Sequence, residues 1–148
     1  MEHYTHDSPS RIMIVDDERP VANTLATIFR QAGYACIVCY SGESAISVAP
    51  AYSPDLLLCD LRLGEVSGET TMASISRVLP ECRILIHTGD YLALAQAQHS
   101  ARLKGYVQAY LTKPQPPLVL LREVRKLLHQ GRPVSQNSGS SAQSVNVA

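Results

Sequence analysis

Short apolar runs, each closed by a polar residue, alternate along the chain with stretches whose apolar positions repeat at helical spacing. Residues 11–15, 35–40, 56–59, 83–87 and 107–112 are rich in Ile, Val and Leu and read as buried strands. Between the first two runs, Pro20 suits a first helical position. Val21, Leu25, Ile28 and Phe29 then share one helix face until Gly33 ends it. Ser41 can cap a helix over 41–49 that buries Ala45 and Ile46, and Pro50 and Pro54 close that unit. Met72, Ile75, Val78 and Leu79 line a third helix stopped by Pro80. Residues 92–103, rich in Ala and Gln, predict a fourth helix that Gly105 ends. Pro116 and Pro117 open a fifth, with Leu121, Val124 and Leu128 along one face and Leu120 and Leu127 beside them.

Strict alternation of strand and helix with short connections implies an α/β fold with a parallel sheet covered on both faces. Right-handed crossovers favour a doubly wound, flavodoxin-like order, 2-1-3-4-5, with five strands and five helices. Residues 1–10 are polar and aperiodic, a disordered lead-in, and 131–148 turn to Ser, Gln, Asn and Gly, a flexible tail. One domain over 11–130 is therefore expected, with no output domain after it.

Composition narrows the function by exclusion. Thirteen basic and thirteen acidic side chains balance, and no basic tract favours nucleic acid or an anionic membrane. No apolar run suits a membrane span, and the N-terminus lacks signal-peptide order, so a cytoplasmic location is expected. Cys36, Cys39, Cys59 and Cys82 fall in or beside strands, and Cys36 and Cys39 would point to opposite faces; buried thiols are expected, not zinc ligands. The histidines show no ligand spacing, and His87, next to Thr88, suits a packing role.

The chemistry lies where the apolar runs stop. Asp16 and Asp17 follow the first run, Asp60 the third, Thr88 the fourth and Lys113 the fifth. In the predicted strand order all of them fall on one edge, at the carboxyl ends where such sheets bind ligands. Three carboxylates set close together repel, and hard oxygen ligands favour a divalent cation; an incomplete cage with room for water and phosphate favours Mg²⁺. Lys113 adds a fixed positive charge and Thr88 a hydroxyl donor. Such parts suit phosphoryl transfer, with Asp60 as the nucleophile that forms an aspartyl phosphate. The Lys113–Pro114 bond is a candidate cis peptide, in a turn that aims Lys113 back at the site.

Val15-Asp16-Asp17-Glu18, the loop from Asp60 through Gly68, Thr88-Gly89 and Leu111-Thr112-Lys113-Pro114 occur in the order and near the spacing of a known family. Over residues 11–130 the chain resembles the receiver domain of two-component response regulators, in the stand-alone, single-domain form. The resemblance implies that Asp60 accepts a phosphoryl group from a histidine kinase or a histidine phosphotransfer protein. It implies Mg²⁺ held by Asp17, Asp60, the backbone carbonyl of Arg62, and Asp16 through water. It also implies that Thr88 turns toward the phosphate, that Tyr110 moves inward with it, and that the altered face recruits an unidentified downstream protein; a homodimer is compatible with it. Such a protein is not a conventional enzyme, although it assists its own phosphoryl transfer and dephosphorylation. Arg62 and Asp90 occupy positions that in receivers modulate the lifetime of the phosphoryl group, and a bridge between them would restrict water.

The departures are local. Gly64 stands where the family commonly has proline, and the stretch from Thr88 to Lys113 is longer than usual, which bears on Tyr110 more than on Asp60. A phosphorylation-independent pseudo-receiver is the alternative, against which the complete acidic set and Lys113 weigh. A flavodoxin-like FMN binder would need a Ser/Thr/Gly-rich loop where Asp16-Asp17-Glu18 stands, and an Asp-nucleophile phosphatase would need a second acid where Arg62 stands.

Overall fold

The computed structural model describes residues 8–130. The predicted tail over 131–148 and most of the predicted lead-in, residues 1–7, lie outside the described residues. The central strand β3 (Leu56–Cys59) is buried at every position, as its unbroken Leu-rich run requires. It pairs in parallel with β1 (Arg11–Val15) on one side and β4 (Arg83–Thr88) on the other. β2 (Ala35–Cys39) and β5 (Ala109–Thr112) form the edges, so the order is β2-β1-β3-β4-β5. Val15 is in register with Cys39 and with Cys59, Cys59 with Ile86, and Thr88 with Thr112. The strands therefore end nearly level, and the residues that follow them share one rim.

Side chains of the strands alternate between two cores. Met13, Val15, Leu57, Cys59, Ile84 and Ile86 pack against α2 (Gly42–Tyr52), α3 (Gly68–Val78), α4 (Tyr91–His99) and α5 (Ala101–Lys104). Ile12, Ile14, Leu56, Leu58 and Leu85 pack against α1 (Arg19–Gln31) and α6 (Pro117–His129). Cys36 and Cys39 fall in opposite cores, as strand alternation requires. All four cysteines are buried and free, and burial raises each thiol pKa, that of Cys36 to about 11, which removes them from thiolate chemistry.

Several boundaries differ from the pattern reading, each for a local reason. The fourth predicted helix is two, α4 and α5, giving six helices among the described residues. Ser100 takes an extended conformation between them (φ −75°, ψ 115°) and its Oγ accepts the Leu103 N–H at 3.3 Å. A serine that caps a new helix competes with continuation of the old one. β5 starts at Ala109, not residue 107, because the Val107 N–H is spent on the Leu103 carbonyl at the end of α5. α2 does not stop at Pro50: that residue lies in its last turn, and the helix closes at Ser53 in the left-handed region (φ 53°), whose N–H reaches the Ala49 carbonyl at 2.7 Å. The buried face of α6 is Leu120, Val124, Leu127 and Leu128, leaving Leu121 half-buried, and Val78 at the end of α3 is exposed. Among the described residues no helix is long and apolar enough to cross a membrane.

Gly33 follows α1 at φ +97°, and a side chain there would meet nothing within 4 Å. Gly33→Ala therefore isolates the backbone cost of a left-handed cap. It is expected to lower stability by about 1 kcal/mol without touching the rim residues, read as a shift in urea midpoint at constant slope.

Candidate functional site

The rim at the carboxyl ends of β1, β3, β4 and β5 gathers most of the polar residues that end the apolar runs. Asp16 is pinned by its own N–H to the Cys39 carbonyl (3.1 Å), and Asp60 by its N–H to the Val15 carbonyl (3.0 Å). Both side chains are nearly inaccessible, at 2% and 5% exposure, whereas Asp17 is exposed. One carboxylate oxygen from each of Asp16, Asp17 and Asp60 lies within 4.8 Å of the others.

Lys113 closes the cluster from β5. Its Nζ donates to Asp16 Oδ2 at 2.6 Å and to Asp60 Oδ2 at 2.7 Å, and Glu18 Oε1 lies 3.9 Å away. The remaining oxygens accept backbone N–H groups: Asp16 Oδ1 from Glu18 at 2.9 Å, and Asp60 Oδ1 from Arg62 at 3.2 Å. Burial alone would lower the pKa of Lys113, but the hydrogen bonds to Asp16 and Asp60 outweigh it and hold the ammonium above its ordinary range. Burial raises the Asp16 pKa, and the Lys113 hydrogen bond only partly offsets this. One ammonium is thus shared between two buried acids with a third beside them, an arrangement short of positive charge. An all-oxygen donor set with that deficit fits a hard divalent cation.

Thr88 is buried at the end of β4 and lines the same cleft as Asp60, with Glu18, Arg62, Asp90 and Tyr91. Its Oγ1 accepts the Asp90 N–H at 3.3 Å, and its carbonyl accepts the Lys113 N–H at 2.8 Å. Within the lining of the same cleft the Arg62 guanidinium donates to Asp90 Oδ2. Asp90 also caps α4, its Oδ1 accepting the Ala93 N–H at 2.9 Å. That amide first, and the Arg62 hydrogen bond second, hold the Asp90 carboxyl below the usual range. Tyr110 pairs with Ile86 and so lies on the Thr88 face of the sheet, its hydroxyl buried without a partner. The Lys113–Pro114 peptide is cis.

Three features were not drawn from the sequence as site features. Glu18 approaches Lys113, although the acidic run after β1 already contained it. Gly68 packs on the backbone of Asp60. His87 is 4% exposed with neither ring nitrogen hydrogen-bonded, a packed residue as expected but one carrying two orphaned polar atoms.

Comparisons with known proteins agree with one another. The family model for the response regulator receiver domain matches residues 12–125. Similar curated proteins include the phosphate regulon transcriptional regulatory protein PhoB of Pseudomonas aeruginosa, 27% identical over 125 residues, which cover 82% of this chain and 53% of that protein. Another is the transcriptional regulatory protein ZraR of Salmonella typhimurium, 33% identical over 103 residues, which cover 70% of this chain and 23% of that protein. The chain thus spans about half or less of the length of these relatives. Among solved structures, a putative response regulator from Chloroflexus aurantiacus is 31% identical with a TM-score of 0.71, covering 82% of this chain and 99% of that one. A CheY-like receiver domain protein from Methanospirillum hungatei shares the fold at 22% identity and a TM-score of 0.73, covering 82% of this chain and 94% of that one.

His87 yields a pH dependence. Burial, and then the nearby Lys113 charge, lower its pKa to about 4. The native state therefore favours the neutral ring, so the stability His87 contributes is complete above its unfolded pKa of about 6.5 and is lost as pH falls toward 4. The loss is expected to reach roughly 3 kcal/mol. His87→Leu, which cannot titrate and leaves no orphaned nitrogen, should flatten that part of the profile in urea titrations between pH 7 and 4 and match the wild type or better at pH 7.

Proposed function

Since this chain belongs to the response regulator receiver domain family, we propose that it takes a phosphoryl group from a phosphohistidine donor onto Asp60 and signals through the conformation that follows. The observation that carries this reading is the Asp60 carboxylate itself, buried at the end of β3, tied to Lys113 Nζ and open on one side to a cleft. A carboxylate oxygen of Asp60 attacks phosphorus as the bond from phosphorus to the donor's histidine nitrogen breaks, and the imidazole leaves with that electron pair. Lys113 orients Asp60 through its hydrogen bond to Oδ2 and bears on the charge of the transferred group.

Asp16, Asp17 and Asp60, with the backbone carbonyl of Arg62, are the residues that would hold Mg²⁺, Asp16 through water. When bound, the cation supplies the positive charge that one shared ammonium leaves lacking. Thr88 then donates its hydroxyl to a phosphoryl oxygen, which reorders its contact with the Asp90 N–H, and Tyr110 responds on the same face of the sheet. Tyr91 and Leu92, 65% and 79% exposed beside the cleft, suit contact with a downstream protein or a second copy of the chain. The reading implies a cytoplasmic location, where a histidine kinase or phosphotransfer protein would be met.

Incubation with acetyl phosphate and Mg²⁺ is expected to add one phosphoryl group by intact mass to the wild type and none to Asp60→Asn. A wild type that binds Mg²⁺ yet gains no mass overturns the proposal in favour of a pseudo-receiver. Arg62 and Asp90 bridge within the cleft that Asp60 lines, so Arg62→Ala, by opening the cleft to water, is expected to shorten the half-life of the phosphorylated protein several-fold. An unchanged half-life in a radiolabelled decay assay would show that the bridge has no such part.

A further inference from the structure

We infer that Gly68 is a positioning residue for the acidic site: it seats the first turn of α3 directly on the backbone of Asp60. The inference rests on Asp60 and its neighbours being the reactive, cation-binding group described above. Gly68 is buried, and its N–H donates to the Leu61 carbonyl at 3.0 Å, closing the loop that leaves β3. A Cβ at this position would lie 2.0 Å from the Asp60 carbonyl oxygen, 2.7 Å from Leu61 Cα and 2.9 Å from the Asp60 carbonyl carbon. All three are backbone atoms, so no side-chain rotation relieves the overlap. From the core side the Cys59 thiol donates to the same Asp60 oxygen at 3.3 Å and approaches the Gly68 carbonyl at 4.0 Å.

Glycine is needed here for space and not for backbone freedom, since Gly33 is the glycine with positive φ among the described residues. Any β carbon must either push α3 outward or turn the Asp60–Leu61 peptide. The second movement shifts the Arg62 N–H that holds Asp60 Oδ1, and with it the Arg62 carbonyl. Gly68 therefore acts on the site through the backbone of its central residue.

Two other glycines separate this role from ordinary packing. A Cβ at Gly42 would lie 2.3 Å from Thr71 Oγ1, 2.9 Å from Val66 Cγ1 and 3.0 Å from the Val66 carbonyl oxygen. That overlap crowds α3 at Thr71 and the preceding loop at Val66, and none of its three nearest atoms belongs to Asp60. A Cβ at Gly64, in the same loop as Gly68, meets nothing within 4 Å.

The test compares Gly68→Ala, Gly42→Ala and Gly64→Ala in the full chain by calorimetric Mg²⁺ titration, thermal melting and acetyl phosphate labelling. Gly68→Ala is expected to bind Mg²⁺ about tenfold or more weakly and to label more slowly at saturating Mg²⁺, as loss of a supporting contact around a metal site does. Gly42→Ala should lose melting temperature with its Mg²⁺ affinity kept, and Gly64→Ala should lose neither. Gly68→Ala with wild-type Mg²⁺ affinity, whatever its melting temperature, overturns the inference. If Gly68→Ala does not fold, wild-type amide exchange decides. By reciprocity, Mg²⁺ binding must slow exchange of the Gly68 N–H selectively over that of Gly42, and equal rates with and without Mg²⁺ overturn the inference. Failure of the phosphoacceptor reading looks different: no phosphoryl uptake by the wild type while the Mg²⁺ contrast between the glycine variants persists. A wild type that binds no Mg²⁺ overturns both.

Discussion

One ammonium shared by two buried acids holds the rim together. Lys113 Nζ stands 2.6 Å from Asp16 and 2.7 Å from Asp60, so a charge at the end of β5 joins the ends of β1 and β3. Both acids are more than nine-tenths inaccessible, and a carboxylate so far from water needs charged or hydrogen-bonding partners. β5 needs the attachment as much as the acids do. It is an edge strand paired only with β4, and its residues are half-buried throughout. Packing alone fixes such a strand weakly, while a pair of charge-assisted hydrogen bonds fixes its end in both distance and direction. The same contact that joins the acids fixes the end of β5 beside Thr88, whose carbonyl accepts the Lys113 N–H.

That arrangement stops short of full compensation, and the shortfall is chemically useful. Asp17 is exposed, Glu18 also approaches Lys113, and burial raises the Asp16 pKa in spite of its ammonium partner. A site complete without a ligand would have no reason to bind one. The positional precision comes from the backbone: Asp16 and Asp60 are held by their own amides to neighbouring strands, and Gly68 bears on the carbonyl of Asp60 from outside. Side-chain chemistry determines what the rim attracts, and main-chain closure determines where.

The sequence made the strand order and the rim legible because both follow from local signals. Apolar runs of strand length ending on Asp16, Asp60, Thr88 and Lys113 locate those residues on one edge once right-handed crossovers are assumed. What it did not reveal depends on tertiary neighbours. The break at Ser100 hides in an Ala- and Gln-rich stretch of uniform helix propensity, where one hydroxyl bonding Leu103 tips the balance. Pro50 read as a stop because its missing N–H is a local fact, whereas its place in the last turn of α2 is set by the Ser53 cap. Gly68 gave no sign of its role, since the crowding is with backbone eight positions earlier in the chain. Neither of the orphaned nitrogens of His87 could be inferred from a residue that simply ends a buried run.

The two charge pairs at the site differ in what they can do. Lys113 is 12% exposed and its acid partners less, so removing it would strand buried carboxylates, a loss of the order of 3–5 kcal/mol for pairs of this kind. The Arg62 side chain is 77% exposed, so its pair with Asp90 is well screened by water and adds little to folding. Stability therefore gives little reason for Arg62 and Asp90 to meet across the cleft. Both residues line the cleft that Asp60 also lines, and Asp90 is already held in place by the Ala93 amide at the start of α4. An anchored acid and a largely exposed cation can part at small energetic cost. So lightly coupled to folding, this pair can form and break while the Lys113 contacts that build the acidic cluster stay in place.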